Sequence, residues 1–175
     1  MAPELQYAPA MNVLTAIEDT GIASWVRESP SVLAYPMIIF AHSAGLSLIV
    51  GLNSVLDLSI LGFARGIQLA PLRKLFPIMA VGFWINLGSG ALLTMADAST
   101  MLVSPVFWTK MSFIFLALED LFLIRIRVFN NPELDKTPPS TESKVLAIAS
   151  LLFWTGAIVA GRLTAYLGPS AATGF

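Results

Sequence analysis

Four long apolar stretches alternate with short polar segments along the chain. They cover residues 35–61, 75–96, 105–129 and 144–167, and each contains few strongly polar positions. A helix needs about 20 mostly apolar residues to cross the hydrocarbon core of a bilayer, and every stretch reaches that length. The pattern therefore predicts an all-α fold, an integral membrane four-helix bundle that forms a single domain over residues 1–175.

The N-terminal segment has a different pattern, because apolar and polar residues alternate there at helical spacing. Val13, Ile17 and Trp25 are separated by polar residues. This spacing predicts a short amphipathic helix over residues 12–27 that lies on the membrane surface or caps the end of the bundle. No Lys or Arg precedes Arg27, so the basic segment of a signal peptide is missing and we expect none.

Composition supports a membrane protein and narrows its chemistry. Hydrophobic residues make up 56% of the chain and charged residues 12%, against roughly 25% charged residues in soluble domains. The mean hydropathy is +0.77. With a net charge of −1 the chain lacks the basic character of a nucleic-acid-binding protein, so we expect membrane lipids as contacts and no nucleic acid. The absence of cysteine and the single histidine exclude disulfides, thiolate metal sites and a haem held by two histidines of one chain.

The distribution of basic residues predicts the orientation of the helices. Seven of the 10 lie on the side of the first and third connections, and the other three lie on the opposite side. The seven are Arg65, Arg73, Lys74, Arg125, Arg127, Lys136 and Lys144. Because basic residues accumulate in cytoplasmic loops, we expect loops 62–74 and 130–143 in the cytoplasm and both termini in the periplasm of a bacterial inner-membrane protein.

Four ionisable residues from four predicted helices are expected at one level near the periplasmic surface. They are His42, Lys110, Arg162 and Asp97. Since an ionisable residue inside a bilayer is costly, the set predicts a polar pocket whose cations attract an anionic group. His42 would then ligate haem iron or another metal, or hydrogen-bond a quinone. The alternative is structural, with Lys110 and Arg162 reaching the headgroups and His42 bonded to a backbone carbonyl.

A second polar set lies deeper in the predicted membrane. It consists of Asn53, Asp57, Asn86 and Asp120. Residues of this kind usually make structural hydrogen bonds between helices, and the alternative is a proton path. Asp120 and Arg127 are seven residues apart, so they are predicted to share one face of the third helix, where they could pair.

Small residues predict where the helices approach each other closely, since close packing drives helix association in lipid. The first helix carries a stripe of small residues, with Gly45 beside it, and the second and fourth helices carry small residues at spacings of four. These sets are Ser43, Ser47, Gly51 and Ser54; Gly82, Asn86 and Gly90; and Gly156, Ala160 and Thr164.

Several motifs give the chain a recognisable pattern over about residues 20–167. The first helix and its exit read AHSAGLSLIVGLNSVLDLSILG, with His42, Gly45, Gly51, Asp57-Leu58 and Gly62 as the marked positions. Further motifs are Gly82 and Gly90, Phe107-Trp108-x-Lys110-Met111, and GRLTAY at residues 161–166. With these motifs the chain resembles an uncharacterised family of small four-helix bacterial inner-membrane proteins. The resemblance implies the fold and the location but no particular activity.

The first helix is more distantly similar to membrane domains of the copper-resistance D type and to cytochrome b561-like bundles. That resemblance implies haem b or copper held between helices. Those bundles use several histidines, whereas this chain has one, and Ile124 and Arg125 stand where many members of the small family have another. One option for haem or copper is a site in which Met37 or Met111 supplies a thioether ligand beside His42. For haem there are two further options, a five-coordinate site or a symmetric dimer that uses His42 twice.

Three classes of function remain open from the sequence. The first is a cofactor-linked membrane subunit that transfers electrons through haem, copper or a quinone at His42. The second is a non-catalytic anchor or assembly subunit of a membrane complex, and the third, ranked lower, is a small oligomeric transporter. No catalytic triad or phosphate loop is present, so the sequence does not decide whether the protein is an enzyme. We expect a homo-oligomer or a subunit of a larger complex.

Overall fold

Helices account for all the regular structure in the part of the chain that the computed structural model describes. That part comprises residues 4–63, 67–131, 134 and 138–167, with the backbone alone for residues 4–10 and 165–167. The predicted all-α class is confirmed within it. The helices are α1 (Glu4–Glu18), α2 (Gly21–Glu28), α3 (Tyr35–Ile60), α4 (Leu75–Ala96), α5 (Ala98–Met101), α6 (Pro105–Ile124) and α7 (Thr141–Leu167). A 3-10 turn (Ala70–Lys74) leads into α4, and a π-helical turn (Arg125–Phe129) continues α6.

Three of the described helices are long and apolar enough to cross a membrane. They lie at Tyr35–Ile60, Ala70–Ala96 and Thr141–Thr164. Helix α6 has 20 residues and carries three ionisable side chains within its apolar stretch, Lys110, Glu119 and Asp120, whereas those of α7 lie near its two ends. The structure thus supports three candidate membrane spans, and the fourth belongs to the proposal below.

Local sequence signals explain where the long helices begin. Pro36 and Pro105 lie in the first turns of α3 and α6, where a missing N–H leaves no hydrogen bond unmade. Helix α7 begins three residues before its apolar stretch, because Ser140 precedes it as a cap. The Ser140 Oγ accepts a hydrogen bond from the backbone N–H of Ser143 at 3.2 Å.

The four long helices pack as two pairs, α3 with α4 and α6 with α7, and the pairs meet along α3 and α7. The largest apolar cluster lies toward the loop ends of these helices, where Leu56, Ile60, Ile124 and Phe129 are fully buried. The ring of Phe76 meets that of Phe129 edge to face, with centroids 5.2 Å apart. The opposite ends of the pairs carry His42 on α3 and Lys110 on α6.

Glycines set the distance between the paired helices. A Cβ added at Gly45 would lie 2.7 Å from the backbone of both Gly82 and Asn86, so α3 and α4 meet backbone to backbone. A Cβ at Gly156 would lie 2.8 Å from the ring of Phe113, which fixes α7 against α6. The small-residue positions predicted on α4 and α7 therefore do mark close approaches.

The predicted stripe on α3 has the wrong orientation. Ser43, Ser47 and Gly51 are exposed, and a Cβ at Gly51 would meet no atom within 4 Å. The hydroxyls of Ser43 and Ser47 donate to carbonyls one turn back on their own helix. These hydroxyls need no partner on another helix, because they hydrogen-bond within α3, and they face outward. Gly45, on another face of α3, makes the contact with α4.

The N-terminal segment forms two helices, so the prediction of one helix over residues 12–27 is wrong. The break falls at Asp19 and Thr20, and the Thr20 Oγ1 caps α2 by accepting from the N–H of Ala23. Helix α2 then packs on the end of α4 through Val26. Helix α1 contacts α5, where a carboxylate oxygen of Glu18 accepts from the backbone N–H of Ser99 at 2.6 Å. The two helices therefore cover one end of the α3–α4 pair.

Candidate functional site

His42 lies between α3 and α4, close to where Gly45 lets the two helices touch. Its ring is half-buried, and a Cβ at Gly90 would lie 3.0 Å from the ring Cε1. A larger residue at this position would require the imidazole to shift by a few tenths of an ångström. The Asn86 Nδ2 donates to the backbone carbonyl of His42 at 2.8 Å. We call this group, formed by His42, Gly45, Gly82, Asn86 and Gly90, the His42 seam.

The contacts of the His42 ring within the seam favour one tautomer of the histidine. The His42 Nδ1 lies 3.1 Å from the carbonyl oxygen of Asn86, which can only accept. It also lies 3.3 Å from the Oγ of Ser89, whose own hydrogen goes to the carbonyl of Ile85. The Asn86 Nδ2, a donor, lies farther from Nδ1, at 3.4 Å, and already donates to the His42 carbonyl. The shorter contact with the Asn86 carbonyl therefore favours a hydrogen on Nδ1 and leaves the lone pair of the neutral ring on Nε2. No hydrogen bond to Nε2 comes from any described residue.

Lys110 approaches this seam from α6. The aliphatic part of its side chain lies along Gly161, where an added Cβ would be 3.7 Å from the Lys110 Cδ and Cε. The Lys110 charge acts electrostatically on His42, which places the two groups in one neighbourhood. Of the four residues predicted for a periplasmic pocket, the structure thus associates these two.

Arg162 and Asp97 are both exposed, and no hydrogen bond or ion pair joins either side chain to a described residue. Asp97 marks the change from α4 to α5, where its backbone carbonyl accepts from the N–H of Met101 at 3.0 Å. The inclusion of Arg162 and Asp97 in one pocket with His42 and Lys110 therefore stays a prediction.

The two candidate thioether ligands lie on exposed parts of the surface. Met37 is 43% exposed and Met111 is 39% exposed. Among the described residues, no group of three or more His, Asp or Glu side chains is arranged to hold a metal ion. The described His, Asp and Glu side chains thus do not support a metal centre with several nitrogen or oxygen ligands.

A second polar cluster is buried between α3, α6 and α7. The Asn53 Nδ2 donates to the Asp57 Oδ2 at 2.7 Å and to the Ser150 Oγ at 2.6 Å. Asn53, Asp57 and Ser150 are 0% exposed, and Asp120 is 5% exposed. The Asn53–Ser150 bond joins α3 to α7, as expected for interhelical hydrogen bonding. We call these four residues the acidic interior.

Several polar atoms in this region lack a partner. The Asn53 Oδ1, the Asp57 Oδ1, the Asp120 Oδ2 and the Trp154 Nε1 are buried without a hydrogen bond to any described residue. Buried polar groups are almost always paired, so four such atoms in one region are unusual. They distinguish the acidic interior from an ordinary structural contact.

The predicted pairing of Asp120 with Arg127 is wrong. Helix α6 ends at Ile124, and the π-helical turn changes the angular spacing of the residues that follow. Arg127 therefore leaves the face of Asp120 and pairs with Glu142 in the first turn of α7. This leaves Asp120 without a cationic partner in the described structure.

Sequence reasoning missed Ser150 and Trp154. Both lie on the buried face of α7, together with Ala147 and Ala157. The signal was present, because these four positions recur every three or four residues, the spacing of one helix face. A serine on an otherwise apolar buried face would have identified the partner of Asn53.

No family model, curated protein or solved structure matches this chain. The resemblance stated above therefore remains an expectation that rests on the motifs quoted for it.

Proposed function

We propose that the protein is a four-helix bundle of the bacterial inner membrane and acts as a cofactor-linked subunit through His42. Three candidate spans support the membrane location, and α6 joins them because Asp120 is buried against the protein and Lys110 half-buried. The described basic residues of the loop side are Arg73, Lys74, Arg125, Arg127 and Lys144, which favour a cytoplasmic position for that side. Arg65 and Lys136, which the prediction also used, lie outside the described residues.

The observation that carries the proposal is the contact of the His42 Nδ1 with the backbone carbonyl of Asn86 at 3.1 Å. A histidine that donates its Nδ1 hydrogen to a backbone carbonyl presents the Nε2 lone pair in a defined direction, as cofactor-binding histidines commonly do. Among the three cofactors considered, a quinone suits the neighbourhood best. Nε2 would accept the hydroxyl hydrogen of the reduced form, and the Lys110 ammonium would donate to a ring oxygen. Such a cofactor supplies electron transfer, while His42 holds or releases the accompanying proton.

The test is binding of ubiquinone-1 to the detergent-purified protein, measured by titration calorimetry. Loss of a hydrogen bond to the ligand corresponds to about tenfold weaker binding, which we expect for His42→Ala and for Lys110→Met. Ser43→Ala is the matched control, because the Ser43 hydroxyl is exposed and bonds only to the carbonyl of Ile39. Equal binding by wild type and His42→Ala would reject His42 as the binding group.

A visible spectrum of the same sample, oxidised and then reduced with dithionite, distinguishes haem from quinone. A Soret band that His42→Ala abolishes would keep the residue but change the cofactor to haem b, and copper analysis of the sample addresses the third candidate. A colourless, copper-free protein that does not bind ubiquinone-1 would overturn the cofactor-linked proposal.

The second candidate function is a non-catalytic anchor or assembly subunit, and one observation favours it. The N-terminal cap and the segment after it expose large apolar side chains, with Ile22 58%, Val32 70% and Leu33 64% exposed. An apolar patch at the end of a bundle suits a membrane surface or a partner protein. Co-purification of one defined partner in stoichiometric amount, lost in an Ile22→Ser/Leu33→Ser variant, would support this role.

A further inference from the structure

Asp57 of α3 and Asp120 of α6 place two carboxyl groups inside the protein, at 0% and 5% exposure. They are close enough for the charge of Asp120 to act on Asp57. The ion pairs between described residues join exposed side chains elsewhere and include neither carboxyl. Two carboxylates without a cation are an expensive arrangement in an apolar interior, so a compensating group is required.

The elements packed around the pair do not bring that group. Helix α4 contains no titratable residue. The ionisable side chains of the other described elements are exposed or lie more than two turns away along their helix. Those on the elements around the pair are Tyr35 and His42 on α3, Arg73 and Lys74 in the 3-10 turn, Lys110 and Glu119 on α6, Arg125 and Arg127 in the π-helical turn, and Glu142, Lys144 and Arg162 on α7.

The unpartnered atoms show what is missing. The Asn53 Oδ1, the Asp57 Oδ1 and the Asp120 Oδ2 are three buried acceptors, and no described donor reaches any of them. The Asn53 Nδ2 already donates both to Asp57 and to Ser150. The other hydrogens nearby are that of the Ser150 hydroxyl, which is within reach of Asp57, and that of the Trp154 Nε1, which reaches no acceptor among the described residues. Acceptors that outnumber the donors in reach are stabilised by an added hydrogen.

We propose that Asp57 and Asp120 form an intramembrane proton-binding site. One carboxylate takes a proton from water to become a carboxylic acid, and its O–H donates to one of the unpartnered oxygens. A proton removes one negative charge without requiring additional volume, which suits a site packed against the apolar cluster of Leu56, Ile124 and Ala147. The proposal does not rest on the role of His42.

The position of the pair indicates the side from which the proton comes. Asp57 lies three residues before the end of α3, and Asp120 lies four residues before the end of α6. Both helices run to the loop side, where about one helical turn separates Asp57 from the loop. Asp120 lies nine residues before the end of the π-helical turn that continues α6. Exchange therefore takes place with the loop side, while the bulk of the bundle separates the pair from the opposite surface.

The experiment is infrared difference spectroscopy of the purified full-length protein at neutral pH, with an exchange from H2O to D2O. We expect a carbonyl band of a protonated carboxylic acid that shifts in D2O. The band should be lost or shifted in Asp57→Asn and in Asp120→Asn. Glu119→Gln is the matched control, since Glu119 is exposed and adjacent to Asp120, and it should leave the band unchanged.

Three outcomes would overturn the proposal. One is the absence of such a band from the wild type, and the second is a band that neither aspartate variant alters. The third is that the aspartate bands do not shift in D2O but change when NaCl replaces choline chloride in the buffer. That result would make the site a Na⁺ site. The wild-type band and its D2O shift need no variant, so the proposal can be judged even if Asp57→Asn fails to fold.

Discussion

The His42 seam and the acidic interior both bury polar side chains on α3, but they satisfy them differently. In the seam, the His42 Nδ1, the Asn86 Nδ2 and the Ser89 Oγ all have partners within the described structure. In the acidic interior, three acceptors have none. Complete pairing makes the seam a rigid support that presents one ring atom, whereas incomplete pairing leaves the interior with a capacity for a hydrogen. The predictions below test this contrast.

The largest effect is expected from Gly45→Val, which attacks the seam. The new side chain would start 2.7 Å from the backbone of Gly82 and Asn86, and backbone cannot move aside as a flexible side chain can. We expect a loss of roughly 3 kcal/mol in the free energy of unfolding, the upper part of the range for overpacking. Denaturation in mixed detergent measures it. Gly51→Val, where nothing lies within 4 Å, should change stability little, and equal losses would refute the close approach.

The next effect concerns Asn53, the residue that organises the acidic interior. Replacing it with alanine removes the donor to Asp57 and to Ser150 at once and leaves both buried. The expected loss is about 2 kcal/mol in the free energy of unfolding, since a buried group left unpaired costs more than a surface contact. In the seam, Asn86→Ala should cost less, about 0.6 kcal/mol, the average for a hydrogen bond between membrane helices. A larger loss at Asn86 would reverse the comparison.

A smaller effect is expected from Ser150→Ala, which removes only one acceptor of Asn53. The Asn53 amide keeps its bond to Asp57, so we expect a loss of about 1 kcal/mol in the free energy of unfolding. Thr155→Ala is the control on the same helix, because Thr155 is exposed and its hydroxyl bonds only to the carbonyl of Leu151. If both variants unfold at the same detergent concentration, the Asn53–Ser150 hydrogen bond between α3 and α7 contributes nothing measurable to the free energy of unfolding.

The smallest effect concerns pH and the N-terminal cap. The hydrogen bond from the Ser99 N–H lowers the pKa of Glu18 below its ordinary value of 4.5, so the carboxylate stabilises the folded state at neutral pH. This contribution is present above the unfolded pKa and is lost as the pH falls through the folded pKa. Acidification should therefore lower the protection factor of the Ser99 amide, which is its intrinsic exchange rate at each pH divided by the observed rate. Glu18→Gln should remove that pH dependence, while Asp19→Asn should keep it.

Hydropathy predicted the long helices because burial in lipid imposes a length and a composition that the sequence must display. It did not predict the break at Asp19 and Thr20, since the apolar spacing continues across it and only the Thr20 cap marks the boundary. Hydropathy also predicted one regular α-helix from residue 105 to residue 129. The change to a π-helical turn after Ile124 is a change of hydrogen-bond register, which apolar spacing does not encode.

The candidate sites were predictable as residues but not as contacts. His42, Asn53, Asp57 and Asp120 stand out because polar groups are rare in apolar stretches. Their partners do not stand out, since the main partner of His42 is a backbone carbonyl and Asn53 bonds to a serine on another helix. Glycines on both faces of α3 made the direction of packing ambiguous, and only the contact of Gly45 with Gly82 resolves it.

The separation of His42 and Asp57 along α3 has an electrical consequence. They are 15 residues apart, and a helix rises about 1.5 Å per residue, so roughly 22 Å of the approximately 30 Å hydrocarbon core separates them. In the proposed orientation, a proton that enters the acidic interior from the cytoplasm crosses only a thin part of the membrane's electric field. Its occupancy should then follow cytoplasmic pH and respond weakly to membrane potential. A charge moved from His42 to Asp57 would cross most of the field, worth about 2.3 kcal/mol per 100 mV for the full thickness.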